Sequence, residues 1–228
     1  GESKRKKIDK MKKILFITPR NPFSGRYSGD VIRTKKFINY LQKKYKITVI
    51  TSSTFYSEKK SINLQFKSFK NENLIIKFFF ILFSFFKLEP LQLGFFHSRK
   101  IRDYVKKNYQ NFDIVFCQSV RAAQYVLNLN IKKKVLDMGD LYSNNYSQTF
   151  KIKSILNPSK FIYFLESKLM KRYENLCFRK FHKILLFSKK EINSLNINNK
   201  KIQQINFGID KTIRIYRYDK KNYKIIFI

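Results

Sequence analysis

The sequence predicts an α/β protein, a Rossmann-like and mostly parallel sheet with helices on both faces, and three observations carry that expectation. Short β-branched runs recur along the chain: Lys13–Thr18 (KILFIT) and residues 46–51 (KITVIT), 112–117 (FDIVFC), 134–137 (KVLD) and 183–187 (KILLF). They are almost continuously apolar, which suits strands covered on both faces. Between them lie stretches whose apolar residues return every three or four positions, and strands alternating with helices build parallel sheets through right-handed crossovers.

Taken in order, Lys13–Thr18 ends at Pro19 and opens the sheet. The loop NPFSGRYSG follows, and Asp30 is placed to cap a helix whose inward stripe is Val31, Thr34, Ile38, Leu41 and Tyr45. Residues 46–51 return as the second strand after a short connection. Residues 62–69 (INLQFKSF) alternate apolar and polar and read as a third strand. Leu74–Phe86 and residues 98–109 read as helices, with 122–127 a short helix after the mid-chain strand. A long helix is expected over 159–181, with Ile162, Leu165, Leu169, Tyr173 and Leu176 in line. Ser188 and Glu191 make a Ser-x-x-Glu capping box that opens another helix, and 203–206 are a last short strand before Gly208. Residues 211–222 are charged and linker-like, while 223–228 (YKIIFI) again have a strand pattern. They read as the start of a truncated second domain, or as one more strand of the first sheet.

The apolar content of 43% with 24 Phe is that of a globular chain, so global disorder is excluded despite a net charge of +34. The 49 Lys and Arg against 15 Asp and Glu are spread over the whole length. They read equally as a compositional bias or as a surface for anionic partners. Cys117 and Cys177 lack metal or redox spacing and read as buried free thiols of a reducing compartment. Residues 1–10 (GESKRKKIDK) are too polar for a signal peptide and are expected to be a disordered basic extension before Met11. Leu74–Phe86 (LIIKFFFILFSFF) is too short to span a bilayer, which takes about 20 apolar residues. It is either a buried core helix or an in-plane helix touching a membrane, with Lys67, Lys70, Lys77 and Lys87 nearby.

Chemistry-bearing residues are few. Gly25 and Gly29 lie in the loop that leads into the first helix, where open α/β sheets bind anions, but neither GxGxxG nor GK[ST] is present. Asp137 and Asp140 stand at the end of a strand; Asp140 can orient or deprotonate a sugar hydroxyl, or Asp140 or Ser143 caps a helix, while Asp137 reads as structural. Arg121 follows another strand at the same edge and can hold a phosphate or carboxylate, or simply face solvent. His97 and His182 have no partners at ligand spacing, so no metal site is expected.

Together the stretches KKILFITPRNPFSGRYSGDVIRTKKFINYL, EPLQLGFFHSRKIRDYV, FDIVFCQSVRAAQYV, KVLDMGDLYSNNY, LESKLMKRYE, KILLFSKKE and INFGID resemble the amino-terminal half of glycosyltransferase family 4, notably bacterial enzymes of lipopolysaccharide and exopolysaccharide synthesis. The resemblance covers residues 11–210. It implies half of a GT-B fold, with the acceptor bound mainly by this domain and the nucleotide-sugar donor by a second one. By that likeness Gly29, Asp30 and Arg33 line the cleft, Arg121, Asp140, Ser143 and Ser188 stand at the ends of later strands, and Asp140 is the candidate catalytic group. It implies retaining transfer without metal or cofactor, to a glycan or lipid-linked acceptor, at the cytoplasmic face of a membrane that residues 74–86 would touch, with no nucleic acid. The departures are Phe116 where many members carry His, Asn206 and Phe207 in place of Pro and Asn, and the lack of the paired glutamates of the donor half. The chain is thus expected to be inactive alone, with 211–228 the linker and first strand of the second domain. The competing class is a basic, non-enzymatic binder of nucleic acid or anionic membrane, which requires lysines clustered on one face.

Overall fold

The structure, a computed structural model, describes residues 11–25, 28–54, 57–195 and 200–206. The basic extension expected over 1–10, residues 207–210 of the INFGID turn, and the linker and strand expected over 211–228 lie outside the described residues.

The strands are β1 Lys13–Thr18, β2 Lys46–Ser53, β3 Ser57–Lys60, β4 Leu64–Lys70, β5 Ile114–Gln118, β6 Lys134–Gly139, β7 Lys183–Leu186 and β8 Ile202–Gln204. They form one sheet in the order β3-β4-β2-β1-β5-β6-β7-β8. Seven strands are parallel, and β3 pairs antiparallel with β4 at the edge. The chain steps outward from β1 through β2 to β4, then returns to place β5 on the other side of β1. That reversal is the point where open α/β sheets leave a crevice at their carboxyl ends.

The helices are α1 Gly29–Leu41, α2 Leu74–Phe86, α3 Leu91–Phe95, α4 Arg99–Asn108, α5 Val120–Ala123, α6 Tyr142–Ile152, α7 Ser159–Lys180 and α8 Lys189–Ser194. One sheet face buries Leu15, Ile17, Val115, Cys117, Leu136 and Ile184 against α4, α5 and α7. The other buries Ile14, Phe16, Val49 and Phe116 against α1 through Ile38. Phe116 stacks on Phe16 at 4.7 Å between ring centroids and is a core residue. Cys117 and Cys177 are buried and free.

Two expectations are corrected, and one strand is added that the sequence did not announce. Ser57–Lys60 (SEKK) has no apolar periodicity, yet it is strand β3, closing the sheet with a charged edge whose Glu58 lies 3.2 Å from Lys67 Nζ. The cap of α1 is Ser28, one step before the first helical residue, so Asp30 falls in the first turn. Apart from Ser84, α2 buries none of its residues, and its Phe and Leu side chains are largely in water, which removes the core-helix reading. Among the described residues no helix is long and apolar enough to cross a membrane.

Candidate functional site

The carboxyl ends of β1, β2 and β4 are the floor of a crevice of about 640 Å³. At the switch point the Thr18 hydroxyl donates to Gln118 Oε1 at 2.9 Å, tying β1 to β5. The chain turns away through Asn21, whose Oδ1 accepts from Phe23 N at 2.8 Å, and re-enters as α1. There the Ser28 hydroxyl donates to Asp30 Oδ1 at 2.6 Å, and the other Asp30 oxygen pairs with Arg20 at 2.9 Å. Ser52 and Ser53 at the end of β2 continue the floor, and Asn71 and Glu72 follow β4. Lys77 of α2 and the rings of Phe95, Phe96 and His97 form the far wall. Glu72 is oriented by Arg99 N at 2.9 Å, and His97 Nδ1 lies 2.8 Å from Gln124 Oε1. Burial lowers the His97 pKa from its ordinary value, which keeps the ring neutral near neutral pH. Hydroxyls, amides, a few charges and flat rings around one hollow match a polyhydroxyl ligand: the polar groups exchange hydrogen bonds with its hydroxyls, and the rings cover its C–H faces.

Of the residues expected from sequence, Gly29 and Asp30 stand beside this crevice in the first turn of α1. A methyl group on Gly29 would meet nothing within 4 Å, so close packing inside the protein does not require glycine there. Arg33 is turned away from the crevice. Its guanidinium is buried in an ion pair with Asp137 and lies 3.6 Å from the centroid of Phe187. Burial pushes both groups toward neutrality, Asp137 up and Arg33 down, each opposed by the other's charge. Arginine does not lose its proton in proteins, so Arg33 stands as a buried cation held by Asp137. Gly139, at φ +78°, leaves room for it, since a Cβ there would lie 3.3 Å from an Arg33 nitrogen.

Arg121 donates through Nε to Gln92 Oε1 at 2.7 Å and lies 4.1 Å from the centroid of Phe96, which puts it behind the aromatic wall. Asp140 is exposed at the end of β6. Ser143 is buried, its backbone N donating to Glu174 Oε1 at 3.1 Å. Ser188 caps α8, accepting from Glu191 N at 3.2 Å. The reciprocal half of that capping box is missing, because the Glu191 carboxylate accepts from Leu141 N at 3.2 Å ahead of α6. The structure thus brings Gly29 and Asp30 together at the crevice and sets Arg121 behind it, while Arg33, Ser143 and Ser188 serve contacts within the protein.

Sequence reasoning missed Arg20, Asn71, Glu72 and His97, which meet only because β1, β4 and α3 end at the same edge. It also missed Ser119, a non-glycine residue at φ +74° between β5 and α5. Such strain persists only where surrounding contacts impose it; here Ser119 N is held by Asp137 O at 2.7 Å. Among the described residues no three His, Cys, Asp or Glu side chains gather as a metal site would need.

No protein-family model matches the chain, and no curated protein matches it in sequence. In three dimensions it is similar to sucrose-phosphate synthase from Thermosynechococcus elongatus, a GT-B glycosyltransferase, with a TM-score of 0.58 at 9% identity over 87% of this chain. The fold is α/β and Rossmann-like, matching a part of that synthase. The chain spans about half the length of that synthase, 48% of it. Two further solved chains align at TM-scores of 0.49 and 0.44, a second form of the same synthase and an E. coli chain described as trehalose-6-phosphate bound with UDP-2-fluoro glucose, each at 9% identity. They cover 87% and 79% of this chain, and 90% and 41% of their own lengths. The Rossmann-like domain carries its crevice at the carboxyl edge of the sheet.

Proposed function

We propose that residues 11–210 are the acceptor-side domain of a family 4, retaining, metal-independent glycosyltransferase of bacterial polysaccharide or lipopolysaccharide synthesis. It moves a hexosyl-type sugar from a nucleotide-sugar donor to a glycan or lipid-linked acceptor. The donor sits mostly on a second domain that begins beyond residue 210, and the protein works at the cytoplasmic face of the membrane. The observation that carries this reading is the crevice of about 640 Å³, whose hydroxyl, amide and aromatic lining suits a sugar. The acceptor lies there against Asn71, Phe96 and the first turn of α1, and its reacting hydroxyl extends toward Asp140, which is exposed at the end of β6 outside the crevice lining and is assigned to hold or deprotonate it. Residues 1–228 alone are expected to transfer no sugar, because the groups that stabilise a departing nucleoside diphosphate supply much of such a rate enhancement.

The test is a transfer assay on the protein from the complete reading frame, with labelled nucleotide sugars and cell membranes as acceptor source. Arg20→Ala with Asn71→Ala is expected to raise the acceptor KM about tenfold or more, the scale of one or two lost charged hydrogen bonds, and to leave the donor KM unchanged. No transfer from any donor, or an equal change in both KM values, overturns the proposal.

A further inference from the structure

Apolar side chains stand in water at two places on the same side of the molecule. The first is α2, where Phe78, Phe79, Phe83 and Phe86 are all more than half exposed. It follows β4 at the carboxyl edge of the sheet, and its Lys77 lines the crevice. The second is the tip of the hairpin formed by α6 and α7, where Ile152, Ile155 and Leu156 are 86%, 85% and 90% exposed. Helix α7 has 22 residues, about 33 Å, and runs down to β7, whose strand is about 13 Å long, so its amino-terminal half overshoots the carboxyl edge of the sheet. Rings of Phe150 and Phe164, 5.3 Å apart, hold the hairpin together. The two places are joined at mid-height, where Glu166 of α7 accepts from Leu91 N at 2.8 Å and Gln92 N at 3.0 Å at the start of α3.

We propose that α2 and the α6–α7 tip are one lipid-docking surface that seats the crevice side of the protein on an anionic bilayer. Charge selects the occupant. Residues 74–88 carry Lys77 and Lys87 and no acid, and residues 141–165 carry Lys151, Lys153 and Lys160 and no acid. The amines stay close to the apolar side chains: Lys87 Nζ is 4.3 Å from the Phe83 centroid, and Lys160 Nζ is 5.2 Å from that of Phe150. Cations rimming an apolar face are the signature of an interfacial helix on anionic lipid. A second copy is a poor occupant, because it would press a net charge of +34 against another of +34. Leu88 supplies an independent argument. It ends α2 at φ +53°, a conformation that favours glycine, and its side chain is 60% exposed. A leucine there is unfavourable in both backbone and solvation, and burial in lipid offsets the second cost.

The docking rests on these exposures and charges; only its use, presenting a lipid-linked acceptor to the crevice, rests on the transfer reading. The experiment is co-sedimentation of the chain with phosphatidylcholine vesicles containing roughly one-third phosphatidylglycerol, and with phosphatidylcholine alone. The wild type pellets with the anionic vesicles, and less with raised salt. Leu88→Gly weakens partitioning several-fold while its melting temperature holds or rises. Changing Ile152, Ile155 and Leu156 to Ser weakens it about tenfold or more without loss of fold. Wild type left in the supernatant, variants that pellet like wild type, or a dimer in solution that the same substitutions dissolve each overturn the proposal. No sugar enters the assay, so its failure leaves the transfer reading standing.

Discussion

Among the chain's few acids, several carboxylates hold helix starts or a buried cation rather than facing solvent. Glu166 receives the first amides of α3, Glu174 those of α6, Glu191 the residue before α6, and Asp137 holds Arg33. These are strong contacts, since a carboxylate at a helix start meets both free N–H groups and the positive end of the dipole. Burial pushes the Glu174 pKa up to about 7 from its ordinary 4.5, against the pull of its Ser143 hydrogen bonds. The folded state therefore keeps the proton longer than the unfolded chain. The stability this gives is complete below about pH 4.5 and is lost as pH rises through about 7. Glu174→Gln keeps the hydrogen-bond shape without the titration, so its stability relative to wild type is expected to improve by roughly 1–3 kcal/mol between about pH 5 and pH 8, read by urea melts across that range. Asp137→Ala leaves a guanidinium buried without its partner and is expected to cost about 3–5 kcal/mol, whereas Arg33→Met with Asp137→Leu recovers most of that loss. Gly29→Ala places its methyl in open space and is expected to keep the melting transition within about 0.5 kcal/mol of wild type. Its effect on acceptor binding then reports ligand approach alone.

At the scale of elements, the local sequence pattern announced those elements whose burial is regular. KILFIT, KITVIT and KILLF lie between two covered faces, and each is a strand. The stripe of α1 also faces the core, with Val31, Thr34 and Ile38 buried. The pattern misled where an apolar face has no protein partner. Ile162 continues the stripe of Leu169 and Tyr173 by spacing, yet it is exposed because α7 overshoots the sheet. Helix α2 is held instead where it crosses α3 and where the Phe80 ring meets His97. A Cβ on Gly94 of α3 would collide with the Phe80 carbonyl oxygen, a backbone atom that cannot swing aside. Gly94→Ala is therefore expected to loosen α2 at a cost of about 1–3 kcal/mol, seen as faster amide exchange over Leu74–Phe86 with the sheet still protected.

At the scale of the whole molecule, strand order decides what the crevice contains, and strand order leaves little trace in sequence. That the sheet is parallel was legible, because alternating strands and helices admit few other arrangements. That Arg20, Asn71 and His97 meet was not, since they come from loops separated by some 50 and 26 positions and share no spacing rule. The resemblance set Asp30 and Arg33 together at the cleft, whereas the structure puts Asp30 in the first turn of α1 beside the crevice and turns the Arg33 side chain to Asp137. The central claim is that a sugar acceptor binds over the carboxyl ends of β1, β2 and β4. Its most direct test is amide-correlation NMR of the chain titrated with a panel of short oligosaccharides. The account predicts shifts confined to residues 19–24, 28–31, 52–54, 71–72, 77 and 95–97, with Asp140. Shifts centred on the hollow between Phe37, Phe187 and Ile205, or none with any glycan, would contradict it.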